Sequence, residues 1–252
     1  MLLEIGLLVF FLAFISEYLD ASLGMGFGTI LVPILLIMGF HPLQVVPVIL
    51  VSTVVNGFFA AAAHWRLGNV DFTLGKGSLK IAVVLTLCGI IGTVIAVLLA
   101  VSIPELYIDV YIGLVAIAMG LLLIIRRNGE MLFSWARLMG FGMLAAFNKG
   151  ISGGGYGPLV VSGQILSGVD GKRAVGITSL SEGAVAVIAV ALYVLMVPAM
   201  DWGLLPFVLG GSIIAVPFAA LTVKRLRTRR LIMAMGGAAI SLGLVIIFNL
   251  FL

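Results

Sequence analysis

Asp20-Ala21-Ser22-Leu23-Gly24-Met25-Gly26-Phe27-Gly28-Thr29 and Asn148-Lys149-Gly150-Ile151-Ser152-Gly153-Gly154-Gly155-Tyr156-Gly157-Pro158 are the two stretches whose reading decides the fold. Each interrupts an apolar run with glycines at every second position, and each is followed by a short apolar piece. The piece after Gly28 reaches only about Gly39, and the piece after Gly157 only about Gly168. At 1.5 Å per residue that is roughly 18 Å of helix, too little to cross a bilayer.

The surroundings are those of a membrane. Of 252 residues, 63% are hydrophobic and 10% are charged, where a soluble domain carries about a quarter charged residues. A water-soluble enzyme, a nucleic-acid binder and a disordered scaffold are therefore excluded. The formal charge of +4 comes from 14 Lys and Arg gathered in short clusters between apolar runs, as in a chain that orients itself across a bilayer. The single cysteine, Cys88, lies in an apolar run, so neither a disulfide framework nor a metal spacing is present. The opening MLLEIGLLVF lacks a basic n-region and a small-residue cleavage site, and reads as a retained helix. Runs free of ionisable residues, together with 3–19, 106–125 and 131–148, which carry one or two, make ten helical pieces. The expectation is an all-α, multi-pass protein of the cytoplasmic membrane with lipids as its surroundings.

The chain also matches itself. At an offset of 129, Gly24, Gly26 and Gly28 fall on Gly153, Gly155 and Gly157, Gly39 on Gly168 and Ser52 on Ser181. After one loop shortens, the offset is 123, and Gly113 and Gly120 meet Gly236 and Gly243. The chain divides into a first transmembrane repeat, 1–128, and a second, 129–252, forming one transport unit. Each holds an entry helix, a glycine-rich break, a short helix and three spanning helices. Basic residues place the loops around 64–80, 169–173 and 224–230 inside, and those at 102–109 and near Asp201 outside. Corresponding loops thus lie on opposite sides. That favours two inverted-topology repeats, each with a hairpin whose tip is the break, the sequence sign of a secondary transporter, over one broken span per repeat and parallel halves, which would put Lys224–Arg230 on the side of Glu105 and Asp109.

A helix that starts after such a break offers unpaired N–H groups and the positive end of its dipole to an anion. Candidate substrate contacts are Gly24, Gly26, Gly28 and Thr29 in the first break, and Asn148, Lys149, Gly153, Gly154, Gly155 and Tyr156 in the second. Close helix packing is the competing reading of the glycines, and suffices for Gly113, Gly120, Gly236 and Gly243. Lys149, in register with Asp20, either clamps an anion or pairs with Asp20 or Glu17. The polar runs Ser52-Thr53 with Asn56, and Thr178-Ser179 with Ser181, project toward the breaks if their helices cross the tips; hydroxyls bonded back to their own helix are the alternative. Glu17, Asp20 and Glu182 are candidate proton carriers. His41, His64, Trp65 and Trp202, at segment ends, read as interfacial anchors. The basic run 224–230 reads as a topology signal first and a lipid-headgroup contact second.

The duplicated Gly-x-Gly-x-Gly breaks, the Ser52–Asn56 run and the Thr178–Ser181 run resemble the TauE/SafE sulfite exporter family, the TSUP permeases, over essentially the whole chain. The resemblance implies transport of small sulfur oxyanions such as sulfite, sulfoacetate or related organosulfonates, in the export direction, with the proton gradient as driver. From the residues alone, the substrate is only a small anion. Glu182 departs from the pattern, standing where a hydroxyl or apolar residue is expected. Because Glu17, Asp20 and Glu182 outnumber Lys149, a cation or zwitterion is the rival substrate. A membrane enzyme is not expected: neither histidine is placed to activate a nucleophile. No cofactor, metal or nucleic acid is expected; the sequence leaves a homodimer open.

Overall fold

The computed structural model describes residues 2–100, 105–126, 132–152, 156–196 and 201–249. They form ten helices: α1 (Leu2–Leu23), α2 (Phe27–Ile37), α3 (Pro42–Arg66), α4 (Ser78–Ala100), α5 (Glu105–Arg126), α6 (Trp135–Ser152), α7 (Tyr156–Leu166), α8 (Gly171–Met196), α9 (Leu205–Arg225) and α10 (Thr228–Asn249). Among the described residues, Glu4–Leu23, Gln44–Arg66, Gly171–Ala191, Leu205–Arg225 and Thr228–Val245 are each long and apolar enough to cross a membrane. α2 and α7, of 11 residues each, are the two short pieces.

Local signals stop the short helices in the same way. Gly39 and Gly168, 129 residues apart, both adopt φ 92° just past the end of α2 and α7. Gly39 N donates to Leu36 O and Phe40 N to Leu35 O; Gly168 N donates to Ile165 O and Val169 N to Gln164 O. These are matching left-handed helix caps, in which glycine avoids the Cβ clash of that backbone region. α8 then starts on the Asp170 carboxylate, which accepts from Lys172 N at 2.9 Å, an N-cap.

Equivalent helices of the two halves pack on each other in antiparallel fashion. On the α5–α10 face, Gly113 lies against Gly243 and Ile247, while Gly120 lies against Gly236 and Ile240. Reciprocally, Gly236 meets Ile124 and Gly243 meets Ile117. α3 and α8 cross at Gly57 and Gly183, and Gly176 sits beside His64. By contrast, α1 runs parallel to α9, with Gly6 on Phe207 and Tyr18 Oη 2.9 Å from Thr222 Oγ1. α6 runs parallel to α4, with Gly142 on Leu85 and Gly92 on Ala146. Antiparallel contact between equivalent helices is consistent with a two-fold axis in the membrane plane, as inverted repeats would have.

The packed bodies are not the sequence halves. One core joins Val9 and Ala13 of α1, Leu31 of α2, Val48 of α3 and Val208 of α9. The other joins Leu85 of α4, Leu138 of α6, Val160 of α7 and Ile177 of α8. The fourth helix of each half packs into the other.

α1 with α2, and α6 with α7, form hairpins. Ser134 N, just before α6, donates to Ser167 O, just after α7, at 3.0 Å, so α7 ends where α6 began. Met38 and Phe40, after α2, pack against the same core as Phe207, which touches Gly6 near the start of α1. Two further links fix which ends share a face. Gln44 Nε2 reaches Asp201 Oδ2 at 2.9 Å, and Arg173 Nη2 reaches Ser78 Oγ at 3.1 Å. Arg66, Lys76, Lys80, Arg137, Lys172, Arg173 and the run Lys224–Arg230 thus fall on one face, with Asp201 and His41 on the other. By the positive-inside rule the basic face is cytoplasmic.

Candidate functional site

The first break is built on Asp20. Its backbone carbonyl accepts from Gly24 N at 2.6 Å, and its Oδ1 accepts from Gly26 N at 2.7 Å. Gly24 and Gly26 hold φ of 69° and 81°, and Gly26 is the N-cap of α2. A carboxylate oxygen therefore already occupies an amide that opens the positive end of α2. The start of α7 presses on the same turn. A Cβ on Gly157 would lie 2.5 Å from both Gly24 O and Gly26 N, so the two breaks meet backbone to backbone. Gly24 in turn faces Val161 of α7.

Beside this junction lies a small cavity of about 10 Å³, lined by Glu17, Asp20, Phe27, Thr53, Asn56, Gly57, Ala60, Ser179 and Glu182. It has room for about one water molecule. Asn56 organises it: Nδ2 donates to Glu17 Oε2 at 2.8 Å, and Oδ1 accepts from Ser212 Oγ at 3.2 Å. α1, α3 and α9 are thereby tied through one amide, and α8 closes the cavity with Ser179 and Glu182. Glu17 is 2% exposed and Glu182 7%. Buried carboxyls of this kind are tolerated only where they are partnered or functional.

The structure brings together Glu17, Asp20, Thr53, Asn56, Ser179 and Glu182, six of the residues singled out in the sequence. Others lie nearby but are not among the residues that line it. Thr178 Oγ1 accepts from Gln164 Nε2 at 2.7 Å, Ser181 Oγ donates to Thr178 O at 3.0 Å, and Tyr156 Oη donates to Leu85 O at 3.3 Å. Thr53 and Ser179 line the cavity, yet bond back to Ile49 O and Val175 O on their own helices. Ser52 is fully buried, and its hydroxyl has no hydrogen-bond partner among the described residues. Gly28 and Thr29 form the first turn of α2. The side chains of Asn148 and Lys149, and Gly153, Gly154 and Gly155 altogether, lie outside the described residues.

His64 overturns one expectation. His41, Trp65 and Trp202 are exposed, as anchors should be, but His64 has no exposed surface. Its Nε2 lies 2.9 Å from Ala21 O and its Nδ1 3.0 Å from Asn69 Nδ2. A carbonyl only accepts, so Nε2 carries the proton and Nδ1 accepts from the amide. The imidazole turns inward because Ala21, the end of α1, needs a donor in apolar surroundings. Asn69 and Ser212, like Gln164, are partners that sequence inspection missed. The Gly68-Asn69 pair after a helix was the only signal, and it marked a turn rather than a contact.

With this geometry in place, comparison with known proteins assigns the family. The family model described as "Sulfite exporter TauE/SafE" matches residues 9–246. The chain belongs to the TauE/SafE family. A curated relative in Bacillus subtilis (strain 168), "Probable membrane transporter protein YtnM", is 27% identical over 245 residues, covering 92% of this chain and 79% of that protein. This TauE/SafE protein is thus a multi-pass membrane transporter rather than an enzyme. Among the described residues, no cluster of His, Cys, Asp and Glu is suited to a metal ion.

Proposed function

We propose that this TauE/SafE protein is a secondary transporter that exports small sulfur oxyanions, such as sulfite, sulfoacetate or a related organosulfonate, by alternating access about the junction of its two breaks. The observation that carries the proposal is the Asp20 carboxylate on Gly26 N. A carboxylate oxygen and a sulfonate oxygen have the same hydrogen-bonding chemistry toward a helix N-terminus. The side chain stands where a substrate oxyanion would sit, so substrate and ionised Asp20 compete.

Competition of this kind links substrate to protons. Protonating Asp20, Glu17 or Glu182 removes negative charge from the cavity and favours the anion, so proton and anion bind together. Export is then drawn by the inside-negative potential whenever the moving complex keeps net negative charge, at about 2.3 kcal/mol per charge per 100 mV. The moving bodies are the two packed cores, each built from helices of both sequence halves.

A second reading rests on the same lining. Three carboxyls and no basic side chain line the cavity among the described residues, which suits a cation or zwitterion. Thermal stabilisation of the purified protein by sulfite, sulfoacetate, taurine, acetate and small cations separates the two, because a ligand that binds the native state raises its stability. Stabilisation by sulfonates that strengthens as pH falls is the expected result. Stabilisation by cations or zwitterions alone would overturn the anion reading.

A further inference from the structure

A second cavity, of about 620 Å³, opens on the basic face between the α3–α4 loop and the start of α8, and Trp65, Asn69, Asp71, Thr73, Lys76 and Arg173 are among its walls. Its volume is that of a small-molecule site. Arg173 is held in place there: its Nη2 lies 3.1 Å from Ser78 Oγ and 3.4 Å from Lys76 O. Lys76 and Arg173 outnumber Asp71. The Thr73 hydroxyl and amide, with the two cations beside them, hold the Asp71 carboxyl below the ordinary carboxylate range. The balance at neutral pH is net positive.

Asn69, Val70 and Ser78 are the buried part of this cavity's wall, and Asn69 is the one that reaches toward α1. Its amide spans a three-helix junction, donating to Ala220 O of α9 at 2.8 Å and to His64 of α3, which in turn donates to Ala21 O of α1. One turn along α3 from His64 stands Ala60, packed with Ala21 and Ala219 and lining the cavity of Glu17 and Asp20. The bonded pair Asn69 and His64 therefore stands between the basic-face cavity, which Asn69 lines, and Ala60, one turn further along α3, which lines the cavity at the breaks.

We propose that the basic-face cavity is the cytoplasmic loading vestibule for small oxyanions, and that the Asn69–His64 pair is the gate between it and the cavity at the breaks. The proposal rests on the transporter reading above. Net positive walls concentrate anions at the gate, and the gate's hydrogen bonds couple its opening to the end of α1, whose next turn forms the first break.

Access measurements test it without any transported substrate. In a Cys88→Ala background, Ala60→Cys is exposed in inside-out and right-side-out vesicles to a membrane-impermeant methanethiosulfonate bearing a sulfonate. Asn69→Ala should speed modification from the cytoplasmic face by about tenfold, a factor that the loss of one or two modest hydrogen bonds permits, and leave the outer face unchanged. His64→Gln should act in the same direction, and serves if Asn69→Ala does not yield folded protein. An unchanged rate, or a rise from both faces, overturns the gate. Thr73→Cys should react several-fold faster with the sulfonate reagent than with its trimethylammonium analogue, after normalisation to a free thiol. Arg173→Gln should bring that ratio near one; a ratio near one before the substitution overturns the vestibule. If access behaves as expected but no sulfonate stabilises the protein, the substrate reading fails while vestibule and gate stand.

Discussion

Gly157 lacks a side chain because the first break leaves no space for one. A methyl group there would sit 2.5 Å from Gly24 O and Gly26 N, and backbone atoms cannot move aside as a side-chain tip can. Gly157→Ala should cost about 1–3 kcal/mol, as overpacking does, and lower the thermal midpoint in detergent. Gly140→Ala, inside α6 with nothing within 4 Å among the described residues, should not lower it and should raise it slightly, because alanine favours a helix interior over glycine. Asn56 makes a different prediction. Asn56→Ala strips Glu17 Oε2 and Ser212 Oγ of a partner in a buried setting, at a cost of about 1–3 kcal/mol. Asn56→Asp places a fourth carboxyl in the cavity, so any stabilisation by sulfonates should weaken or vanish at neutral pH.

Among the elements, the two short helices are the clearest case of one local code used twice. Gly39 and Gly168 share φ 92° and the same capping bonds, and no atom lies within 4 Å of a Cβ built on Gly39. Gly39→Ala should therefore lose stability through backbone strain alone, about 1 kcal/mol or more. Gly168→Ala should lose a comparable amount; equal shifts in the two thermal midpoints would check it, and a neutral Gly39→Ala would sink the strain argument. These elements were legible because glycine register survives in a composition where apolar matches carry little information. The breaks, the ten helices and the sides of their loops follow from glycine and charge positions, which are sparse and specific. The cavity was half legible. Glu17, Asp20, Thr53, Asn56, Ser179 and Glu182 are polar residues in apolar runs, hence visible. Which of two neighbouring hydroxyls faces inward depends on helix rotation, and weak amphipathicity leaves rotation undetermined when lipid and core are equally apolar. Ser52, Ser181 and the inward turn of His64 were invisible for that reason.

At the scale of the molecule, the exchange of fourth helices, α9 into the first body and α4 into the second, means that neither half buries its own core alone. Each half, expressed separately, should fail to give a folded monomer by size-exclusion chromatography in detergent, whereas coexpressed halves should recover it. The face assignment is open to a direct check: with Cys88→Ala, an impermeant maleimide on right-side-out vesicles should label Trp202→Cys and spare Leu74→Cys, whose parent residues are 40% and 87% exposed. Labelling in the reverse sense would invert the orientation that the basic face implies.

The crossing of α3 and α8 at Gly57 and Gly183 has the geometry that a fulcrum would need. No side chains interlock there, because each glycine meets the other's backbone, so tilt is resisted less than at a knob seated in a hole. Gly183 divides the 26 residues of α8 into arms of about 18–20 Å. A tilt of roughly 10° then carries each end of α8 through about 3 Å, in opposite directions, a displacement comparable to a water molecule. Narrowing at one membrane face and widening at the other become a single lever movement, with the carboxyl cavity beside the pivot, where the arms sweep least.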